Sequence, residues 1–265
     1  MISPLASIHP NAKLGNNVSV DAFAVIHDKV SIGNGSHIMS HSVILPFTTI
    51  GDNCRIFPGA VIGGIPQDLK FKGEESTVEI GNNTTIRECV TVNRGTQDRM
   101  KTTIGNNCLL MAYAHVAHDC VISNNVILAN SVQLAGHVFI GEFAIIGGMS
   151  GAHQFTRIGA HTYVAGHTVI RKDVPPFIKA AREPMSYMGL NIVGLQRRNF
   201  SQQTIDTISQ IYHLLFVSNH RTTQAIELIK KQVAEGETKS EILRFIEESK
   251  IGIIKRYSKN GVDED

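Results

Sequence analysis

The sequence of 265 residues predicts an all-β main domain built as a parallel β-helix over residues 1–184, followed by a small all-α domain over 185–265. Three observations carry this. An aliphatic residue recurs at every sixth position, a small residue usually follows it four places later, and the period changes after Pro175-Pro176.

The aliphatic series opens Ile2, Ile8, Leu14, Val20, Ile26, Ile32, Ile38, Ile44, Ile50, Ile56, Ile62. It resumes at Ile80, Ile86 and Val92, then runs in the same phase from Ile104 through Val116, Leu134 and Ala152 to Ile170. The small slots read Ala6, Ala12, Val18, Ala24 at the start and Cys108, Ala114, Cys120, Val126 later. Neither a 3.6-residue helix nor a long alternating strand gives this period. Short Gly-rich repeats of this kind stack as a parallel β-helix. Each hexad supplies one short strand and a corner, and three hexads close a triangular coil with the aliphatic side chains inside. Glycines directly after the aliphatic position (Gly15, Gly33, Gly51, Gly81, Gly105) are expected to supply positive φ at the corners. Stacked strands lie about 4.8 Å apart. Residues 18 apart in sequence should therefore sit on one face, one coil apart, wherever no loop intervenes.

Only three aliphatic slots are polar: Asp68, Glu74 and Asp98. They mark two loops ejected from the coil, near 64–79 and 93–103, each lengthening its coil by a multiple of six residues. Long loops on a rigid scaffold are where function concentrates.

After Pro176 the pattern turns helical. Phe200-Ser201 opens a stripe of Ile205, Ile208, Ile211, Tyr212 and Leu215. Thr222 or Thr223 is expected to cap a second helix ended by Gly236, and Ser240 a third through Ile242, Leu243, Phe245 and Ile246. Such a domain can cover the open end of a β-helix.

Composition narrows the function. No basic and apolar leader opens the sequence and no apolar run is long enough for a membrane span, which predicts a cytoplasmic protein. The four cysteines lack disulfide or zinc spacing, and Cys54, Cys108 and Cys120 fall in small slots, so packing is expected. From Arg157 to Arg198 seven basic residues are opposed only by Asp173 and Glu183, which suits an acidic ligand or partner. Nucleic acid is not expected, because no aromatic interleaving or binding motif accompanies the patch.

The chemistry concentrates in Ala114-His115-Val116-Ala117-His118-Asp119-Cys120. Steps of 18 from His118 reach Gly136 and Gln154, and one step from Asp119 reaches His137, with His115 and His153 close by. Three readings fit such a patch: metal ligation by imidazoles, a surface ladder of polar side chains, and acid/base catalysis by His118. A glycine one coil away offers an unhindered N–H to a developing oxyanion. Whether Asp119 orients His118 is open at this level, because neighbouring side chains can diverge.

Several stretches together resemble the UDP-N-acetylglucosamine O-acyltransferases, a hexapeptide-repeat family: Pro66-Gln-Asp-Leu-Lys70, Leu109 to Asp119, Leu134-Ala-Gly-His137, Ile145 to Met149, His153-Gln-Phe155, Asp173-Val-Pro-Pro176 and Gly194-Leu-Gln-Arg-Arg198. The resemblance implies a left-handed coil, a homotrimer with sites between subunits, and no metal or other cofactor. It implies transfer of an R-3-hydroxyacyl group from the phosphopantetheine of acyl carrier protein to the glucosamine 3-hydroxyl of UDP-N-acetylglucosamine, the first step of lipid A biosynthesis. In the family pattern His118 matches the general base, Asp119 its orienting residue and Gly136 the donor to the thioester carbonyl. Gln67, Asp68, Lys70, His115, His137, His153 and Gln154 match substrate contacts. Asn191, Arg197 and Arg198 match nucleotide or diphosphate contacts, and Gly166 an acyl-length ruler. Asn93 stands where the pattern has His, Val193 where it has an acidic residue, and Glu183-Pro184 also departs. Rival readings are the related N-acyltransferase of acylated UDP-glucosamine, a metal-dependent hydratase, and a non-catalytic β-helix scaffold.

Overall fold

In a computed structural model, which describes residues 1–218 and 220–256, the repeat folds as a three-faced parallel coil. The first face runs from Ser7–Ile8 to Val169–Ile170, the second from Lys13–Leu14 to Arg157–Ile158, and the third from Ser19–Val20 to Tyr163–Val164. Most partners are 18 residues apart, as in Ser7↔Val25 and His115↔Gln133. The aliphatic series fills the axis: Ile38, Ile44, Ile56, Ile86, Leu110 and Val116 are fully buried, and so are Cys54 and Cys120 in the small slots.

The register jumps twice. Val61 pairs with Thr91 and Thr49 with Glu79, 30 positions on. Thr91 then pairs with His115 and Glu79 with Thr103, 24 positions on. The excesses over 18 are multiples of six, so the inward phase survives both loops. The loops themselves are shorter than expected, at 65–76 and 94–100, because Thr77–Ile80 and Lys101–Ile104 keep pairing along their full length.

The corners correct one expectation. Positive φ falls on the residue two places further on, and mostly on non-glycine residues: Asn17, Phe23, Lys29, Asn107, Tyr113, Asp119 and so on every sixth position. Gly33 instead answers to crowding, since a Cβ there would lie 2.5 Å from the carbonyl carbon of Gly51 in the next coil. The left-handed residues line three edges. The first carries Asp119, His137 and Phe155; the second Asn107, Asn125, Phe143 and His161; the third Phe23, Tyr113, Met149 and His167. Along the second edge Asn and Asp side chains satisfy the corner N–H groups of the preceding coil: Asn34 N donates to Asp52 Oδ1, Asp52 N to Asn82 Oδ1 and Asn82 N to Asn106 Oδ1, all within 2.8 Å.

The third face continues beyond the repeat. Ile178–Ala181 pairs parallel with Tyr163–Val164 and antiparallel with Ser186–Leu190, and the expected boundary at 184–185 falls in the turn between the two. Four helices follow: α1 (Ile192–Arg197), α2 (Gln202–Phe216), α3 (Thr222–Gln232) and α4 (Glu237–Glu247). Ser201, where the helical pattern opens, caps α2 with its side chain, and the stripe from Ile205 to Leu215 is buried, with the Tyr212 hydroxyl donating to Pro176 O at 2.7 Å. The other caps differ. Arg221 precedes α3 and Thr222 lies inside it, while α4 starts one residue after Gly236, so Ser240 is interior. The end of α3 is served from α4: buried Lys239 donates to Lys230 O and Val233 O.

Candidate active site

Strand His115–Val116 ends on the first edge, and the next two residues after Ala117 are His118 and Asp119. His118 is 4 % exposed and Asp119 is fully buried. With φ at +59°, Asp119 turns its side chain back towards its own neighbour, and its Oδ2 accepts from His118 Nδ1 at 2.8 Å. The two neighbouring side chains therefore do not diverge but are hydrogen-bonded to each other. The carboxylate also accepts the Thr96 hydroxyl at 2.6 Å and the Thr96 N–H at 3.0 Å, while the backbone N–H of Asp119 donates to Thr102 Oγ1. Burial pushes the Asp119 carboxyl up, but the hydrogen bonds from Thr96 and His118, with His137 nearby, outweigh it and leave its pKa below the ordinary value.

The other ring nitrogen of His118 faces the cleft. Asp68 of the first loop stands 3.9 Å from Nε2, too far for a direct hydrogen bond. Gly136, one coil on, lies against the ring; a Cβ there would sit 2.4 Å from His118 Cε1. Among the described residues the Gly136 N–H has no protein acceptor, as an oxyanion donor requires. His137 packs edge-on to His118 with centroids 5.1 Å apart and stacks on Phe155. Burial, with His118 and Arg99 nearby, holds the His137 imidazole below its usual pKa against the opposing pull of Asp119 and Asp98. His115 donates to or accepts from Thr91 Oγ1 at 2.7 Å and is likewise depressed, first by burial and then by His118.

Two open cavities flank the pair. One of about 470 Å³ is lined by Gln67, His115, His118, Gly136, His153 and Gln154. The other, of about 520 Å³, is lined by Asp68, Lys70, Thr96, Asp98, His137 and Phe155. The structure thus gathers ten of the expected site residues on the first edge. It does not gather the rest. Asn191 is buried at the second edge, where its Nδ2 donates to His161 O and its Oδ1 accepts from Gly194 N, capping α1. Arg198 donates to Gly194 O and Phe143 O on that edge, and Arg197 is exposed beside it. Gly166 lies on the third edge against Gly148. Thr96 is the residue that spacing missed, since it reaches Asp119 from an ejected loop and not from a coil one step away. His118, Asp119 and His137 bring three donor atoms within 4.8 Å, a spacing a cation could use, but the Asp119 oxygens are already engaged by Thr96 and His118.

Asn93 departs from the family pattern in a buried position, with its Oδ1 unpartnered among the described residues and its Nδ2 against Gly64. Val193, on α1, is exposed.

Comparison with known proteins points one way. Residues 173–254 match the family model described as Udp N-acetylglucosamine O-acyltransferase, domain 2, and residues 29–64 and 101–136 match the bacterial transferase hexapeptide repeat. The acyl-[acyl-carrier-protein]–UDP-N-acetylglucosamine O-acyltransferase of Thiobacillus denitrificans is 42% identical over 255 residues, 96% of this chain and 99% of that one. Its Synechocystis counterpart is 49% identical over 180 residues, 68% of this chain and 65% of that one. The UDP-N-acetylglucosamine acyltransferase crystal structure from Bacteroides fragilis superposes with a TM-score of 0.94 at 47% identity, covering 96% of this chain and 100% of that one. A relative of this identity matched over nearly its full length, together with a matching fold, makes the chain a member of the UDP-N-acetylglucosamine O-acyltransferase family.

Proposed function

We propose that the protein transfers an R-3-hydroxyacyl group from the phosphopantetheine thioester of acyl carrier protein to the 3-hydroxyl of UDP-N-acetylglucosamine, the first step of lipid A biosynthesis. The observation that carries the mechanism is the buried Asp119–His118 pair with Gly136 against it. His118 donates Nδ1–H to Asp119, which leaves Nε2 as the acceptor facing the cleft. Nε2 takes the hydroxyl proton as the sugar oxygen bonds to the thioester carbon. The carbonyl oxygen gathers negative charge at the Gly136 N–H. The carbon–sulfur bond then breaks, and His118 returns the proton to the departing thiolate. No acyl-enzyme is required: Cys120, the thiol next to the pair, is buried with its Sγ on Ala135 O, and burial raises its pKa to about 12. The pathway needs no metal or other cofactor.

The coil is taken as left-handed, against the usual right-handed rule for parallel crossovers, on the strength of its solved relatives. The active form is a homotrimer. Expected site residues divided among three edges of one prism support a site completed by a neighbouring subunit, with Asn191, Arg197 and Gly166 supplied across the interface. The third edge supports the same reading, because Phe23, Tyr113 and Met149 are exposed by 54%, 62% and 67%. No helix among the described residues is long and apolar enough to cross a membrane, and the cytoplasm, where acyl carrier protein works, is the proposed location.

The decisive experiment supplies 3-hydroxyacyl carrier proteins of graded chain length with UDP-N-acetylglucosamine and follows product by mass spectrometry. A single 3-O-acylated product is expected, with turnover by His118→Ala lower by at least about 100-fold in an intact oligomer. Thioester that is not consumed on adding the sugar nucleotide would sink the reading. Stoichiometric bound metal whose removal abolishes turnover would favour a metal-dependent enzyme.

A further inference from the structure

We propose that Thr96, on the loop at 94–100, is the positioning residue that locks the Asp119 carboxylate, and through it the His118 ring, for proton transfer. The inference rests on the catalytic reading above and deepens it.

Asp119 is fully buried, and a buried carboxylate needs donors. Strand N–H groups around it are committed to the ladder between coils. The seven-residue loop after Asn93 supplies what the coil lacks. Thr96 directs both of its donors at one carboxylate: the N–H reaches Oδ1 at 3.0 Å and Oδ2 at 3.1 Å, and the hydroxyl reaches Oδ2 at 2.6 Å. Oδ2 is the same oxygen that receives His118 Nδ1–H. A carboxylate gripped on both oxygens cannot rotate away from the imidazole.

The loop is built to hold this donor still. Thr96 itself is buried while residues 97–100 are exposed. Met100 N donates to Thr96 O at 2.7 Å, Gly95 N donates to Thr77 O, and the Ser76 hydroxyl donates to Gly95 O. Gly95 is forced, since a Cβ there would meet Lys101 N at 2.2 Å. Arg99 adds a bond from its guanidinium to Asp119 O at 3.3 Å. The charged and titratable groups facing the pair are Asp68 from the other loop, Asp98 and Arg99 from this one, and His115 and His137 from the coil.

The test compares Thr96→Val and Thr96→Ser in the full-length enzyme, with His118→Ala as reference. Val keeps the shape and the backbone donor but loses the hydroxyl. Expected for Thr96→Val is a kcat about 10- to 100-fold lower with each KM within about threefold, and an acidic limb of the kcat–pH profile displaced from wild type. Thr96→Ser should return both kcat and the profile. A Thr96→Val enzyme with wild-type kcat and a superimposable profile overturns the proposal. So does a Thr96→Ser enzyme as slow as Thr96→Val, because the retained hydroxyl would then fail to restore the rate. If Thr96→Val fails to fold, Thr96→Ala and Thr96→Ser carry the same comparison. A fast His118→Ala enzyme would overturn the base assignment itself; a slow one beside a fast Thr96→Val overturns only the role of Thr96.

Discussion

Gly136 has no side chain because the His118 ring fills the space where one would begin. A Cβ 2.4 Å from His118 Cε1 is far inside contact distance, and Asp119 grips the ring from its other end. Gly136→Ala should therefore tilt the ring or displace the Gly136 N–H, and either loss is worth about 100-fold or more in turnover. The fold should tolerate it, since the residue lies outside the aliphatic core. Steady-state kinetics beside circular dichroism separates the two effects, and a Gly136→Ala enzyme with normal kcat would remove Gly136 from the mechanism. The alignment of His118 with Gly136 was legible in the sequence, because a fixed 18-residue coil converts spacing into proximity. The bond between His118 and Asp119 was not, because it depends on a left-handed backbone at Asp119 that residue order does not declare. Thr96 was hidden for another reason: the length of an ejected loop gives its excess over the coil but not where its side chains point.

At the level of elements, the helical cap is tied to the coil through a column of rings on the second edge. His161 stacks between Phe143 and Phe177 and meets Phe200 edge-on, while its carbonyl holds Asn191 at the start of α1. Burial, with Arg198 nearby, lowers the His161 pKa to about 4. The folded state therefore keeps this ring neutral where the unfolded chain, with an imidazole near 6.5, already binds a proton. Unfolding takes up that proton, so stability should fall as pH drops from about 6.5 towards 4 and be unaffected by this group above about 7. Allowing for the part of the ring that meets solvent, the loss is about 2 kcal/mol at pH 4.5. His161→Phe preserves a three-ring stack without the titration. Denaturation at pH 7 and pH 4.5 should show a smaller acid loss in the variant, and equal losses would refute the assignment. Of the cap itself, the stripe of α2 was readable from its period. The starts of α3 and α4 were not, because no side-chain cap among the described residues marks either start, and the end of α3 was not, because Lys239 serves it from a distance.

For the whole molecule, the division of expected site residues among three edges decides what one chain can do alone. His118 lies on the first edge, while Arg197 lies on α1, whose neighbours Asn191 and Arg198 are bonded to the second edge. A prism with a packed aliphatic core cannot bring these edges together, so a sugar nucleotide touching both must bridge two chains. Cyclic assembly repeats one such interface around the ring. This makes a sharp expectation for mixtures. His118→Ala and Arg197→Glu should each be weak as pure oligomers, the first lacking the proposed base and the second reversing a charge proposed to meet phosphate. Co-expressed in equal amounts and purified as mixed oligomers, they should regain up to about a quarter of wild-type turnover, because a random interface of the proposed ring pairs the intact first edge of one chain with the intact second edge of the other about one time in four. If both sets of residues served one chain's own site, no mixture would contain a complete site, and activity would stay at the level of the pure variants. The measurement thus reads the geometry of the assembly from kinetics alone, and a null result would place both sets of residues in a site within one chain.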